Sequence, residues 1–99
     1  MDAVFLFPKE ATGRSREILE DDLISRQSVT LRDARSLGLR QDGTLVFLQG
    51  AARAVERFET LAGDAAERVA EEEASSLRAI LQKEEEDAAE GVGLLFGGT

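Results

Sequence analysis

A small single α+β domain, with two to four short strands and three or four helices, is the fold this sequence predicts, and three observations predict it. Two short apolar runs, AVFLF (3–7) and TLVFLQG (44–50), have the length and residue types of buried strands. From Ala51 onward the apolar spacing lengthens from two residues to about 3.6, which is the period of a helix. The 99 residues suffice for one hydrophobic core and not for two. Strands and helices mixed in this way suggest a variant of the ferredoxin-like arrangement, although periodicity alone does not reveal the strand order.

Each element has its own justification. AVFLF is stopped by Pro8 and reads as the first strand. Thr12, Gly13 and Ser15 offer turn and cap chemistry ahead of Ile18, Leu19 and Leu23, which predicts a helix over 15–24. In SVTLRDARSLGL, Val29 and Leu31 alternate as in a strand, while Thr30 to Asp33 has the form of a capping box and Gly38 that of a helix stop. A brief strand running into one or two helical turns accommodates both. Asp42-Gly43 predicts a turn, and TLVFLQG the next strand.

Beyond it, Ala51, Ala54, Val55, Phe58, Leu61 and Ala62 share one helical face, which Gly63 ends. Asp64 is then expected to cap a long helix over 65–88 with the stripe Ala66, Val69, Ala70, Leu77, Ile80 and Leu81. Phe5, Val46, Leu48, Val55, Phe58 and Leu77 are expected in one core. The domain is expected to span residues 1–88, with 89–99 as a tail that is either a hook for a partner or a final strand.

Composition narrows the chemistry. The chain has no cysteine, histidine, tyrosine or tryptophan, so thiolate catalysis, histidine acid-base work and the common zinc sets have no residues to use. No catalytic residue, metal or cofactor is therefore expected, and an enzyme would depend on carboxylates such as Glu10 or Asp42. The runs Glu71–Glu73 and Glu84–Asp87 lack the spacing and turn glycine of a calcium loop and read as solvated helix faces. The first residues lack the basic flank and long apolar core of a signal peptide, and no apolar run approaches the ~20 residues of a membrane helix. The expected location is the cytoplasm, with no membrane partner.

The net charge of −8 is unevenly spread: residues 1–58 balance nine basic against nine acidic side chains, whereas residues 59–99 set three against eleven. Within the neutral part, Arg26, Arg32, Arg35 and Arg40 are opposed only by Asp33, which makes a locally basic segment. These arginines, with Gly50 and Arg53 at a strand-to-helix turn, form the candidate face for an anion or a partner. The bland alternative is that they are surface side chains and an ordinary connection. Nucleic acid is not an expected partner except as part of a ribosome.

The tail KEEEDAAEGVGLLFGGT sets large apolar residues among glycines after a run of acids. As a strand it would be weakened by Gly91, Gly93 and Gly97. As a helix it would place Val92, Leu95 and Phe96 at i, i+3 and i+4 on one apolar edge, the form of a segment that orders in a partner's groove. Residues 84–98 resemble the C-terminal motif of the acidic ribosomal stalk proteins of archaea and eukaryotes, an acidic, alanine-containing hinge ending in Gly-x-Gly-x-Leu-Phe-Gly. Val92 stands in the place of the first large apolar residue, Leu95 and Phe96 match the Leu-Phe pair, and Gly91, Gly93 and Gly97 match the glycines. Leu94 replaces an often small residue, and Gly98-Thr99 runs past the usual end.

In that family the motif recruits translational GTPases to the ribosome, so the resemblance implies a tail that does the same through Val92, Leu95 and Phe96. It does not extend to residues 1–83, whose strands have no counterpart in the helical dimerisation domain of the stalk proteins. Two expectations follow from different classes. One is a non-catalytic adaptor of the translation apparatus, whose folded part docks by its arginine face and whose tail engages a translational GTPase. The other is a self-contained α+β module that binds a small anion at the Gly50 helix start or assembles as a homo-oligomer, with the tail as part of its core.

Overall fold

A strand covered on both faces buries every residue of an apolar run, and AVFLF occupies such a strand. In a computed structural model, described for the backbone of residues 1–96 and the side chains of residues 1–86, the chain forms four strands and four α-helices. In order these are β1 (Asp2–Pro8), α1 (Thr12–Leu19), α2 (Asp22–Ser25), β2 (Ser28–Asp33), β3 (Gly43–Gln49), α3 (Ala52–Ala62), β4 (Glu67–Arg68) and α4 (Glu71–Phe96). Single 3-10 turns lie at Lys9–Ala11, Arg35–Leu37 and Gly63–Ala65.

The sheet has the order β2-β3-β1-β4 with every neighbouring pair antiparallel. With α1 and α2 between β1 and β2, and α3 between β3 and β4, the connectivity is the β-α-β-β-α-β pattern of ferredoxin-like domains, to which α4 is added. The two longest strands, β1 and β3, lie side by side in the middle, in a register that sets Phe5 opposite Val46. Their central position explains why both read as near-continuous apolar runs.

Side-chain alternation divides these strands between two cores. Phe5, Phe7, Val46 and Leu48 face α1, α2 and α3, where Ile18, Ile24, Val55 and Phe58 complete the packing. The Phe58 ring stands 4.4 Å from that of Phe5 and 5.9 Å, edge-on, from that of Phe7. Val4, Leu6, Leu45 and Phe47 face the other way, onto Ala74, Leu77 and Leu81 of α4 and Ala34 and Leu37 of the β2–β3 connection. Leu77 thus lies on the opposite side of the sheet from Phe58, and the single core expected from the sequence is two.

The helix predicted over 15–24 is divided. α1 ends at Leu19, and Asp21 begins α2 by accepting hydrogen bonds from the backbone N–H groups of Leu23 and Ile24. The segment at 28–38 is a strand followed by a helical turn, and Gly38 takes a left-handed conformation (φ 92°) that closes the turn without a Cβ penalty.

The long helix begins at Glu71, not near residue 65. Asp64 lies within a 3-10 turn, and Glu67–Arg68 form β4 against Phe5 and Leu6 of β1. Val69 continues the contact by donating its N–H to the Val4 carbonyl. The cause is tertiary: without β4 this side of β1 would present unpaired backbone groups, and pairing them outweighs a local preference for helix. The stripe shifts accordingly, with Ala74 buried, Ala70 exposed and Ile80 41% exposed.

Candidate functional site

The arginines singled out in the sequence do not share one surface. Arg26 follows α2, on the side of the sheet that carries α1–α3, and pairs with Asp22 at 3.4 Å. Arg32 projects from β2 to the opposite side, where its Nε is 3.9 Å from Glu84 of α4. Arg35 pairs with Asp42 across the β2–β3 connection, and Arg40 lines a separate depression of about 410 Å³ beside Arg68 and Glu73. The acidic partners of Arg26, Arg32 and Arg35 offset much of the local positive potential that their spacing along the chain suggested.

The Gly50 turn is also occupied from within the molecule. Gln27 places its Oε1 so that it accepts a hydrogen bond from the Ala51 N–H, and a Cβ on Gly50 would lie only 1.9 Å from that oxygen. Gly50 itself exchanges hydrogen bonds with Met1, its N–H donating to the Met1 carbonyl and its carbonyl accepting from the N-terminal ammonium. Glycine here serves close packing of the chain, and Arg53 is exposed on the following helix. Asp42 is paired as described, and Glu10 is exposed.

Among the described residues, no group of three or more carboxylates is arranged to hold a metal ion. Likewise, no helix is long and apolar enough to cross a membrane. The residues expected to form the partner-binding edge of the tail, Val92, Leu95 and Phe96, lie outside the described side chains.

One ion pair binds the helical layer together. Arg57 of α3 grips Asp21 with two nitrogens, Nε at 2.9 and 2.8 Å from the two carboxylate oxygens and Nη2 at 2.6 Å. These hydrogen bonds, with those from Ile24 and Leu23, hold the Asp21 carboxyl below its ordinary range, and the same contact raises the Arg57 guanidinium. Both groups serve the docking of α2 on α3.

A different corner of the molecule carries groups that no element needs for its own folding. At the end of the sheet nearest Met1, Ser28, Gln49 and Asp2 stand in register across β2, β3 and β1, with Thr30 opposite Phe47 one row further in. α4 passes over this corner and presents Arg78, Gln82 and Glu85 from successive turns beside the buried Leu81. Sheet and helix enclose an open cleft of about 480 Å³. Arg78 donates through Nη2 to Glu71, while its Nη1 is buried with no hydrogen-bond partner among the described residues.

Sequence reasoning missed this corner. The available signals were an arginine directly beside the apolar stripe of α4, in SLRAILQ, and the polar alternation of Ser28 and Thr30 against Val29 and Leu31. Compared with protein-family models, curated proteins and solved structures, the chain has no match.

Proposed function

We propose that this chain is a non-catalytic adaptor of the translation apparatus, in which residues Val92, Leu95 and Phe96 engage a translational GTPase while the folded domain rests on another component. The observation that supports the reading is how early in the chain the described strands and core residues fall. All four strands come from residues 2–68, and the buried side chains on both faces of the sheet end at Leu81 among the described residues. The reading assigns these described elements to the domain's stability and the apolar tail to recognition.

The residue inventory agrees with a binding role, since the chain contains neither histidine nor cysteine. The folded domain's own contact is not assigned to Arg26, Arg32, Arg35 and Arg40, because the fold distributes them over both sides of the sheet.

The test uses the full chain and a purified translational GTPase. Phe96→Ala is expected to abolish capture while leaving Tm unmoved, because anchoring aromatics dominate such interfaces. If Phe96 belonged to the core, the same change would cost about 3–5 kcal/mol and lower Tm by roughly 12 °C or more. That drop with capture intact would overturn the adaptor reading. Association is also expected to slow as salt rises, since Glu84, Glu85, Glu86 and Asp87 lie just ahead of the hook and would steer it toward a basic groove.

A further inference from the structure

The cleft under α4 is lined by groups of both charges. Arg78 of α4 holds Glu71 through Nη2, while its Nη1 is buried without an acceptor among the described residues. Such a group is costly to leave unpaired, and its planar fork matches a carboxylate. Two carboxylates also line the cleft, Asp2 at the start of β1 on the sheet side and Glu85 on α4 itself, two helical turns beyond Arg78. Thr30 and Gln49 supply neutral hydrogen-bonding groups between them, and Phe47 and Leu81 supply an apolar floor.

A simple anion entering this cleft would meet Arg78 but also both carboxylates, in a chain of net charge −8. A simple cation would meet the arginine. A small molecule carrying both charges satisfies the arginine and the carboxylates at once.

We infer that the cleft is a binding site for a zwitterionic small molecule of the α-amino-acid class, its carboxylate on Arg78 and its ammonium toward Asp2 and Glu85. The volume of about 480 Å³ suits a ligand of this size and falls in the usual range of small-molecule sites, roughly 300–1,000 Å³. The site is independent of the tail. Loss of GTPase capture would leave it untouched, and its own failure would leave the adaptor reading standing.

The experiment is a titration of the ¹⁵N-labelled full chain with the common free L-α-amino acids, following the backbone amides of Thr30 and Gln49. At least one amino acid is expected to shift both resonances saturably and to raise Tm, as a ligand of the native state must. Its methyl ester, which lacks the carboxylate charge, and its N-acetyl derivative, which lacks the ammonium, are each expected to bind at least about tenfold more weakly.

Arg78→Ala is expected to remove the response at unchanged fold. Should that variant not fold, Thr30→Val retains the shape of the β2 side chain and is expected to weaken binding severalfold. No saturable shift from any amino acid overturns the inference. So does binding of the N-acetyl derivative, or of acetate alone, as tight as that of the parent amino acid, because either would make the cleft a plain anion site. An unaltered response in the Arg78→Ala variant, or in the Thr30→Val variant where it is the one tested, overturns it as well.

Discussion

Asp21 does two things with one carboxylate: it caps α2 through the N–H groups of Leu23 and Ile24, and it takes the fork of Arg57 from α3. Both contacts need the ionised form, so the folded-state pKa lies below the unfolded value of about 3.9. Between the two values the unfolded chain holds more protons than the folded one. Stability therefore rises with pH in that window, and the contribution of Asp21 is complete above about pH 5 and fades as pH drops through its folded value. Asp21→Asn keeps a capping oxygen but removes the charge. Denaturant unfolding at stepped pH is expected to show a shallower acid loss in Asp21→Asn than in the parent chain, and equal slopes would show that the pair does not couple to folding.

Among the elements, α4 is the one whose inward face the apolar stripe misplaced. Reading Leu77 and Ile80 as members of one stripe makes them equivalent, but in the fold Leu77 is 3% exposed against Leu6, Leu45 and their neighbours whereas Ile80 is 41% exposed. The difference arises because β4 consumes residues that would otherwise have extended the helix, so α4 starts at Glu71 and lies on the sheet through Ala74, Leu77 and Leu81. Leu77→Ala is expected to cost about 2–5 kcal/mol by opening a cavity under the helix. Ile80→Ser is expected to stay within roughly 0.5 kcal/mol, as for ordinary surface changes. Equilibrium urea unfolding of both variants checks the pair of values, and a reversal would mean that α4 presents a different face to β1 and β3.

For the molecule as a whole, the consequence of two cores is that α4 is required through Leu81. Its first three turns cover Val4, Leu6, Leu45 and Phe47, which would otherwise form a broad apolar surface on the sheet. Ending the chain after Ala88 is therefore expected to leave Tm within a few degrees of the full chain, whereas ending it after Ala70 is expected to prevent stable folding. Thermal unfolding followed by circular dichroism distinguishes these outcomes. A large loss of Tm on removing residues 89–99 would place the tail in the domain's stability and deprive the adaptor reading of its main support.

The sequence by itself determined the parts that local physics controls. AVFLF and TLVFLQG bury five and four apolar residues in a row in segments too short for a buried helix, the 3.6 period of Ala54, Val55, Phe58 and Ala62 admits only a helix, and Gly38 marks where its turn must end. Only the tertiary structure decided what depends on neighbours distant in the chain. β4 exists because β1 has an edge to pair, which no property of Glu67 or Arg68 announces. The assignment of Phe58 and Leu77 to opposite faces follows from strand order, and the separation of Arg26 from Arg32 follows from the alternation of β2 and the position of α2. The cleft beneath α4 belongs to the same category, since Asp2, Gln49 and Arg78 meet only once three strands are in register and a helix is laid across them. Hydrophobic period and turn chemistry act over a few residues, whereas pairing and packing act over the whole chain, and sites are made by the latter.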